Sequence, residues 1–219
     1  MKKRILSTLA ILSLIFATNL LTACDDDDSN SETTGTIDGY KYVDLGLSVK
    51  WATVNIGATL PTDYGNYYAW GETEIKDEYT EDNSVTYGDS SIEDFAGNAS
   101  YDAATANWGS SWRMPTRAEC KELVDDCKWT LTTLANSDGE ATYGYLVEGN
   151  NGNSIFLPAA GYRTGLSLSL DGTNGHYWSS TPNADDSDNA YAIGLGSSGY
   201  GVYDDYSRYY GRSVRLVSE

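Results

Sequence analysis

Histidine, cysteine and positive charge are all scarce in this chain. His176 is the sole histidine among 219 residues. One imidazole cannot build a multi-histidine zinc site, and no carboxylate–histidine–nucleophile set suggests itself around it. Its setting, Gly175-His176-Tyr177-Trp178, reads as a turn. Three cysteines are present. Cys120 and Cys127 lie on a stretch that reads as helix, two turns and roughly 10 Å apart, too far for a disulfide. They read as small buried hydrophobes. Lys and Arg number 14 against 32 Asp and Glu, a net charge of −18. Such a surface repels nucleic acid and anionic lipid, so no nucleic-acid partner is expected.

The first residues carry an address. Lys2, Lys3 and Arg4 precede an apolar run from Ile5 to Leu21, closed by Leu21-Thr22-Ala23-Cys24. This pattern makes residues 1–23 a secretory signal. The Leu-x-Ala-Cys ending resembles the bacterial lipobox, which implies cleavage before Cys24 and lipid on its thiol. Acyl chains contribute about 0.8 kcal/mol per buried methylene, and several together hold a protein to a membrane. Asp25 to Asp28 resemble the export signal of Bacteroidota lipoproteins, which implies an outer-membrane location facing the cell exterior. Residues 24–38 read as an acidic, disordered tether. Loss of the signal removes three positive charges, leaving 11 Lys and Arg against 32 acids and a net of −21. Residues 39–219 suit one domain.

Within that domain one helix is well signalled. Thr116 can cap it, and Glu119 can reach back to close a capping box. Cys120, Leu123, Val124 and Cys127 then recur at helical spacing as a buried face, ending near Lys128. Elsewhere short strands and turns dominate. Tyr42 to Ile56 is β-branched and aromatic, broken by glycines. Asn153 to Leu157 reads as a strand, as does the alternation of Tyr191, Ile193 and Leu195, and Arg212 to Val217 gives a last one. Asp63-Tyr64-Gly65-Asn66 and Asp171-Gly172 are turn signals. Thr73 to Ser100 is acidic, poor in apolar residues and hard to read. The expected class is α+β, mostly antiparallel short strands with one main helix and long loops.

Tyrosine is what the chain has in excess. Seven of its 18 tyrosines lie between His176 and Arg212, set among Ser, Gly, Asp and Asn. Rigid aromatics with a polar tip, among small adaptable neighbours, make up surfaces selected for binding. Half-exposed strand faces also use tyrosine. The candidate ligand contacts are Tyr191, Tyr200, Tyr203, Asp204, Asp205, Tyr206, Arg208, Tyr209 and Tyr210. Alternation puts Tyr191 with Ile193, which makes it the weakest of these.

Two other motifs need weighing. Gly194-Leu195-Gly196-Ser197-Ser198-Gly199 matches the dinucleotide-binding fingerprint, but that fingerprint needs a helix next. Tyr200-Gly201-Val202-Tyr203 is strand-like instead. Asp185, Asp186 and Asp188 could offer oxygen ligands to calcium, or form a solvated acidic loop. No EF-hand spacing is present, and no metal site is assigned.

Several blocks in order resemble the Fibrobacter succinogenes major paralogous domain. They are Tyr42 to Thr53, Asp63 to Glu72, Trp108 to Thr116, Ile155 to Arg163, Tyr177 to Ser180 and Gly211 to Val217. Arg113 to Glu119 is also similar to a block of formylglycine-generating enzymes. The resemblance implies a C-type-lectin-like fold whose first and last strands pair, with a long irregular region near the end. Trp51, Trp70, Trp108, Trp112 and Trp178 then serve the core, and Arg113 and Arg215 act as structural ion-pair or carbonyl partners. Cys120 stands where relatives carry a large aromatic. Formylglycine-type oxidation uses a late pair of cysteines with copper. No cysteine follows Cys127, so neither an enzyme nor a cofactor is expected.

The expected function is a non-catalytic recognition module on the cell surface, binding an extracellular glycan or protein through the Tyr-rich C-terminal face. A narrower form resembles the variable proteins of diversity-generating retroelements. In those, adenine-directed mutation of Asn codons yields Tyr, Asp, Ser and Gly. The rival class is a structural or adhesin subunit of a surface assembly.

Overall fold

The computed structural model describes residues 33–219. The signal and Cys24 lie outside them. The domain begins earlier than Gly39. Strand β1 (Thr34–Ile37) pairs antiparallel with β2 (Tyr40–Val43). The tether reading therefore fails at its last residues. The reason is local: Asp38 and Gly39 both have positive φ, 50° and 86°. That is the two-residue hairpin turn that Asp-Gly favours, and backbone ladder bonds need no apolar content.

The class is as expected, largely antiparallel strands with few helices. β3 (Lys50–Asn55) extends the first sheet, and β12 (Arg215–Ser218) completes it in the order β1-β2-β3-β12. The last strand thus joins β3 rather than the first strand, with Val217 opposite Trp51. Helix α1 (Ala103–Trp108) is capped by Asp102, which accepts from the amides of Ala104 and Thr105. Helix α2 (Arg117–Asp126) has the Thr116–Glu119 capping box. Arg113 pairs with Glu119 at 2.6 Å and Glu219 at 2.7 Å.

Three strands follow α2 as a meander: β4 (Lys128–Ala135), β5 (Ala141–Glu148) and β6 (Ser154–Pro158). A short hairpin, β7 (Tyr162–Thr164) and β8 (Ser167–Ser169), precedes the third sheet. That sheet comprises β9 (Gly175–Pro182), β10 (Asn189–Gly196) and β11 (Gly199–Ser207), with β10 central. The β10–β11 hairpin replaces the helix that a dinucleotide fingerprint requires. His176 lies inside β9 and is buried, not in a turn.

The core has two main clusters. One gathers Trp51, Leu123, Val147, Leu157, Ile193 and Leu195 between α2 and the sheets. The other gathers Trp70, Trp108, Trp112, Trp178 and Leu216. Arg215 is fully buried near them and donates to Asn55 Oδ1 and to the carbonyls of Ala52, Thr53 and Phe156. Cys120 and Cys127 are free and buried, and burial pushes both thiols well above their ordinary pKa. Among the described residues no helix is long and apolar enough to cross a membrane.

Candidate functional site

The register of β10 against its neighbours sorts the tyrosines. Ile193 lies opposite Val202 and Leu195 opposite Tyr200, so Tyr200 shares the face that packs on the first core cluster. Ala192 lies opposite Tyr203 and Ala190 opposite Tyr206. Two steps along β10 are therefore matched by three along β11. This extra residue, at Asp204-Asp205, is a β-bulge. Plain alternation would put Tyr203 and Tyr206 on opposite faces, and the bulge puts them on one. Both rings lie over Gly194. A Cβ there would fall 2.2 Å from the Tyr206 hydroxyl and 3.1 Å from the Tyr203 ring.

From that face a continuous file of rings runs across the molecule. Tyr203 meets Tyr206 edge-on, with centroids 6.1 Å apart, and Tyr206 meets His176 at 5.1 Å. His176 meets Tyr162 at 5.4 Å, and Tyr162 stacks on Tyr210 at 5.2 Å and 3°. Tyr210 meets Tyr209 at 4.5 Å, and Tyr209 meets Tyr87 at 5.3 Å. Such offset and edge-to-face pairs each stabilise by roughly 0.5–1.5 kcal/mol beyond simple burial. Apart from buried His176 the rings are half-buried, save Tyr203, which is 46% exposed.

Two devices align the file, one a backbone pairing and the other a buried side chain. Arg163 and Gly211 exchange amide–carbonyl hydrogen bonds of 2.7 and 3.0 Å, which brings Tyr162 to Tyr210. Arg208 donates from Nε to the Asn189 carbonyl and from Nη1 to the carbonyls of Thr86 and Asp89. That clamp holds the segment carrying Tyr87 against the segment carrying Tyr209.

Beneath the middle of the file sits Arg212, only 2% exposed. Its guanidinium carbon lies 4.2 Å from the Tyr206 ring centre, 4.8 Å from Trp178, and 5.4 Å from both Tyr162 and Tyr210. Its Nε and Nη1 have no hydrogen-bond partner among the described residues. Ring faces attract the cation by about 0.5–2 kcal/mol each, against a cost of several kcal/mol for an unpaired buried charge. Burial pushes the guanidinium pKa down to about 10, so it stays charged at neutral pH. Neither nitrogen of His176 has a hydrogen-bond partner among the described residues. Burial, reinforced by the Arg212 charge, pushes its pKa down to about 3 and keeps the ring neutral. Burial raises the Tyr206 phenol to about 12.

The nine sequence-derived contacts therefore separate. Tyr203, Tyr206, Tyr209 and Tyr210 come together on the file, with Asp204 and Asp205 exposed at the bulge beside them. Tyr200 and Tyr191 lie on the opposite face of the sheet. Tyr200 stacks on Trp129 at 4.5 Å, and Tyr191 lies 4.1 Å beneath the Arg117 guanidinium. Arg208 is corrected from ligand contact to buried clamp, at 1% exposure. Sequence reasoning missed Tyr87, Tyr162, His176 and Arg212. Tyr87 lies in the acidic stretch that resisted reading, and no local pattern marks the others as neighbours.

In the acidic loop Asp186 spends both carboxylate oxygens internally. Asp186 accepts from the Asp188 amide at 3.0 Å and from Asn189 Nδ2 at 2.8 Å. Among the described residues no group of three or more His, Cys, Asp or Glu could hold a metal ion.

A family model described as a domain of unknown function (DUF8237) matches residues 133–217. That stretch runs from within β4 into β12 and carries every ring of the file except Tyr87. No curated protein and no solved structure matches the chain.

Proposed function

We propose that this chain is a non-catalytic recognition module on a C-type-lectin-like scaffold, with the file of rings from Tyr203 to Tyr87 as its ligand-contacting face. One observation carries the reading. Seven aromatic rings from four separated segments touch in sequence, and six of them keep part of their surface open to solvent. A run of phenolic faces with hydroxyl tips suits a sugar ring or a flat protein surface. The ordered sequence blocks shared with the Fibrobacter succinogenes major paralogous domain support the scaffold. The likeness to retroelement variable proteins rests on the same Tyr-rich segment.

The lipobox-like Cys24 and the acids after it support an outer-membrane lipoprotein facing outward. A glycan and host-protein array probed with the chain, with and without EDTA, tests the module. Binding that is lost in a Tyr203→Ala/Tyr209→Ala variant of unchanged melting temperature supports it. Loss of folding in that variant means the rings serve the core, and the contact face is wrong.

A further inference from the structure

Three arginines of the C-terminal third are buried, and only one lacks hydrogen-bond acceptors. Arg208 and Arg215 each donate to three or more oxygens. Arg212, as deeply buried, has Nε and Nη1 unsatisfied and forms no ion pair among the described residues. Ring faces hold its charge but accept N–H groups only weakly. Both nitrogens of neighbouring His176 are also without partners. Four orphan polar atoms thus cluster under one point of the file. A guanidinium edge is the group best matched to a carboxylate or sulfate oxygen pair.

We propose that the file recognises a ring-shaped ligand bearing a single oxyanion, a uronic acid or a monosulfated sugar, whose charge is bound by Arg212. This deepens the recognition reading and rests on it. Tyr162, Tyr206 and Tyr210, whose ring centres lie within 5.4 Å of the guanidinium carbon, are only half-buried. Tyr206 rests over Gly194, where no Cβ pins it. In the proposed complex Tyr206 turns aside to admit the oxyanion to Arg212, and the sugar face stacks on the exposed Tyr203 ring. Asp205, exposed at the bulge, adds a negative charge near Arg212 without pairing with it. It disfavours polyanions and leaves one oxyanion on an otherwise neutral ring as the fitting charge pattern.

The test uses the full chain in detergent with 15N-labelled arginine, titrated with glucuronic acid, galactose 6-sulfate, and unsubstituted glucose and galactose. The Arg212 Nε–H resonance should move saturably with one or both charged sugars and stay still with the neutral ones. Arg212→Lys keeps the charge but loses the planar edge, and should weaken charged-sugar binding at least tenfold. If that variant does not fold, the wild-type titration decides by itself. No movement with either charged sugar, or equal movement with the neutral sugars, overturns the proposal. A glycan or protein that binds the file without disturbing Arg212 overturns the oxyanion assignment and leaves the recognition reading standing. Binding of no array ligand and no charged sugar overturns both.

Discussion

The Arg208 guanidinium lies 4.3 Å from the ring centre of Trp70, while the Trp70 amide donates to the Arg208 carbonyl at 2.8 Å. This reciprocal contact ties the C-terminal strands to the segment after β3. Arg208→Ala strands three carbonyls and exposes a core ring. It should cost about 2–4 kcal/mol in urea unfolding. Arg208→Lys should recover only part, because an ammonium cannot reach three carbonyls in one plane. Unfolding free energies within 0.5 kcal/mol of wild type, roughly the size of a neutral surface change, would sink the clamp.

Tyr203 and Tyr200 are the two most exposed tyrosines of the C-terminal third, and they face opposite ways. Tyr203→Ala should weaken ligand binding at least tenfold, about 1.4 kcal/mol, and lower stability by less than about 1 kcal/mol. Tyr200→Ala loses its stacking on Trp129 and should cost roughly 1 kcal/mol of stability while leaving binding intact. Paired titrations and denaturation curves separate the two faces. Equal binding losses would contradict the division.

His176 should make folding weaken in mild acid. Its imidazole takes up a proton near pH 6.5 when unfolded but only near pH 3 when folded. A folded pKa below the unfolded one means the stability is whole above 6.5 and is lost as pH falls. Between pH 7.5 and 5.5 the loss should be about 1.4 kcal/mol, before most carboxylates titrate. No other histidine confuses the measurement. His176→Phe should flatten the profile over that interval, and a slope that survives the substitution would assign it elsewhere.

Cys24→Ser should abolish membrane partition. Metabolic labelling with a tagged fatty acid should mark the wild-type chain and not the variant, and protease added to intact cells should cut only an outward-facing protein. A labelled Cys24→Ser chain would mean that the lipid sits elsewhere.

Much was legible from local chemistry. Helix α2 followed from Thr116, Glu119 and the spacing of Cys120 and Leu123, because caps and helical periodicity act within a few residues. The five tryptophans read as core are all buried, and β10 is a strand as expected, though buried on both faces from Ala192 to Gly196 rather than half-buried. Strand β1 has a local signal in the Asp38-Gly39 turn, but its polar residues lack the apolar alternation that marks a strand.

The composition of the last third determined by itself that tyrosine would dominate there. Which tyrosines act together was decided only in three dimensions. One extra residue at Asp204-Asp205 turns Tyr206 over to join Tyr203, and nothing in the residue string announces a bulge. Tyr87, Tyr162 and His176 reach the file from distant segments through backbone pairing and the Arg208 clamp. Arg208, Arg212 and Arg215 look alike in the chain. Whether a buried guanidinium finds acceptors depends on which carbonyls the packed fold leaves in hydrogen-bond geometry, and at Arg212 it leaves none for Nε or Nη1 among the described residues.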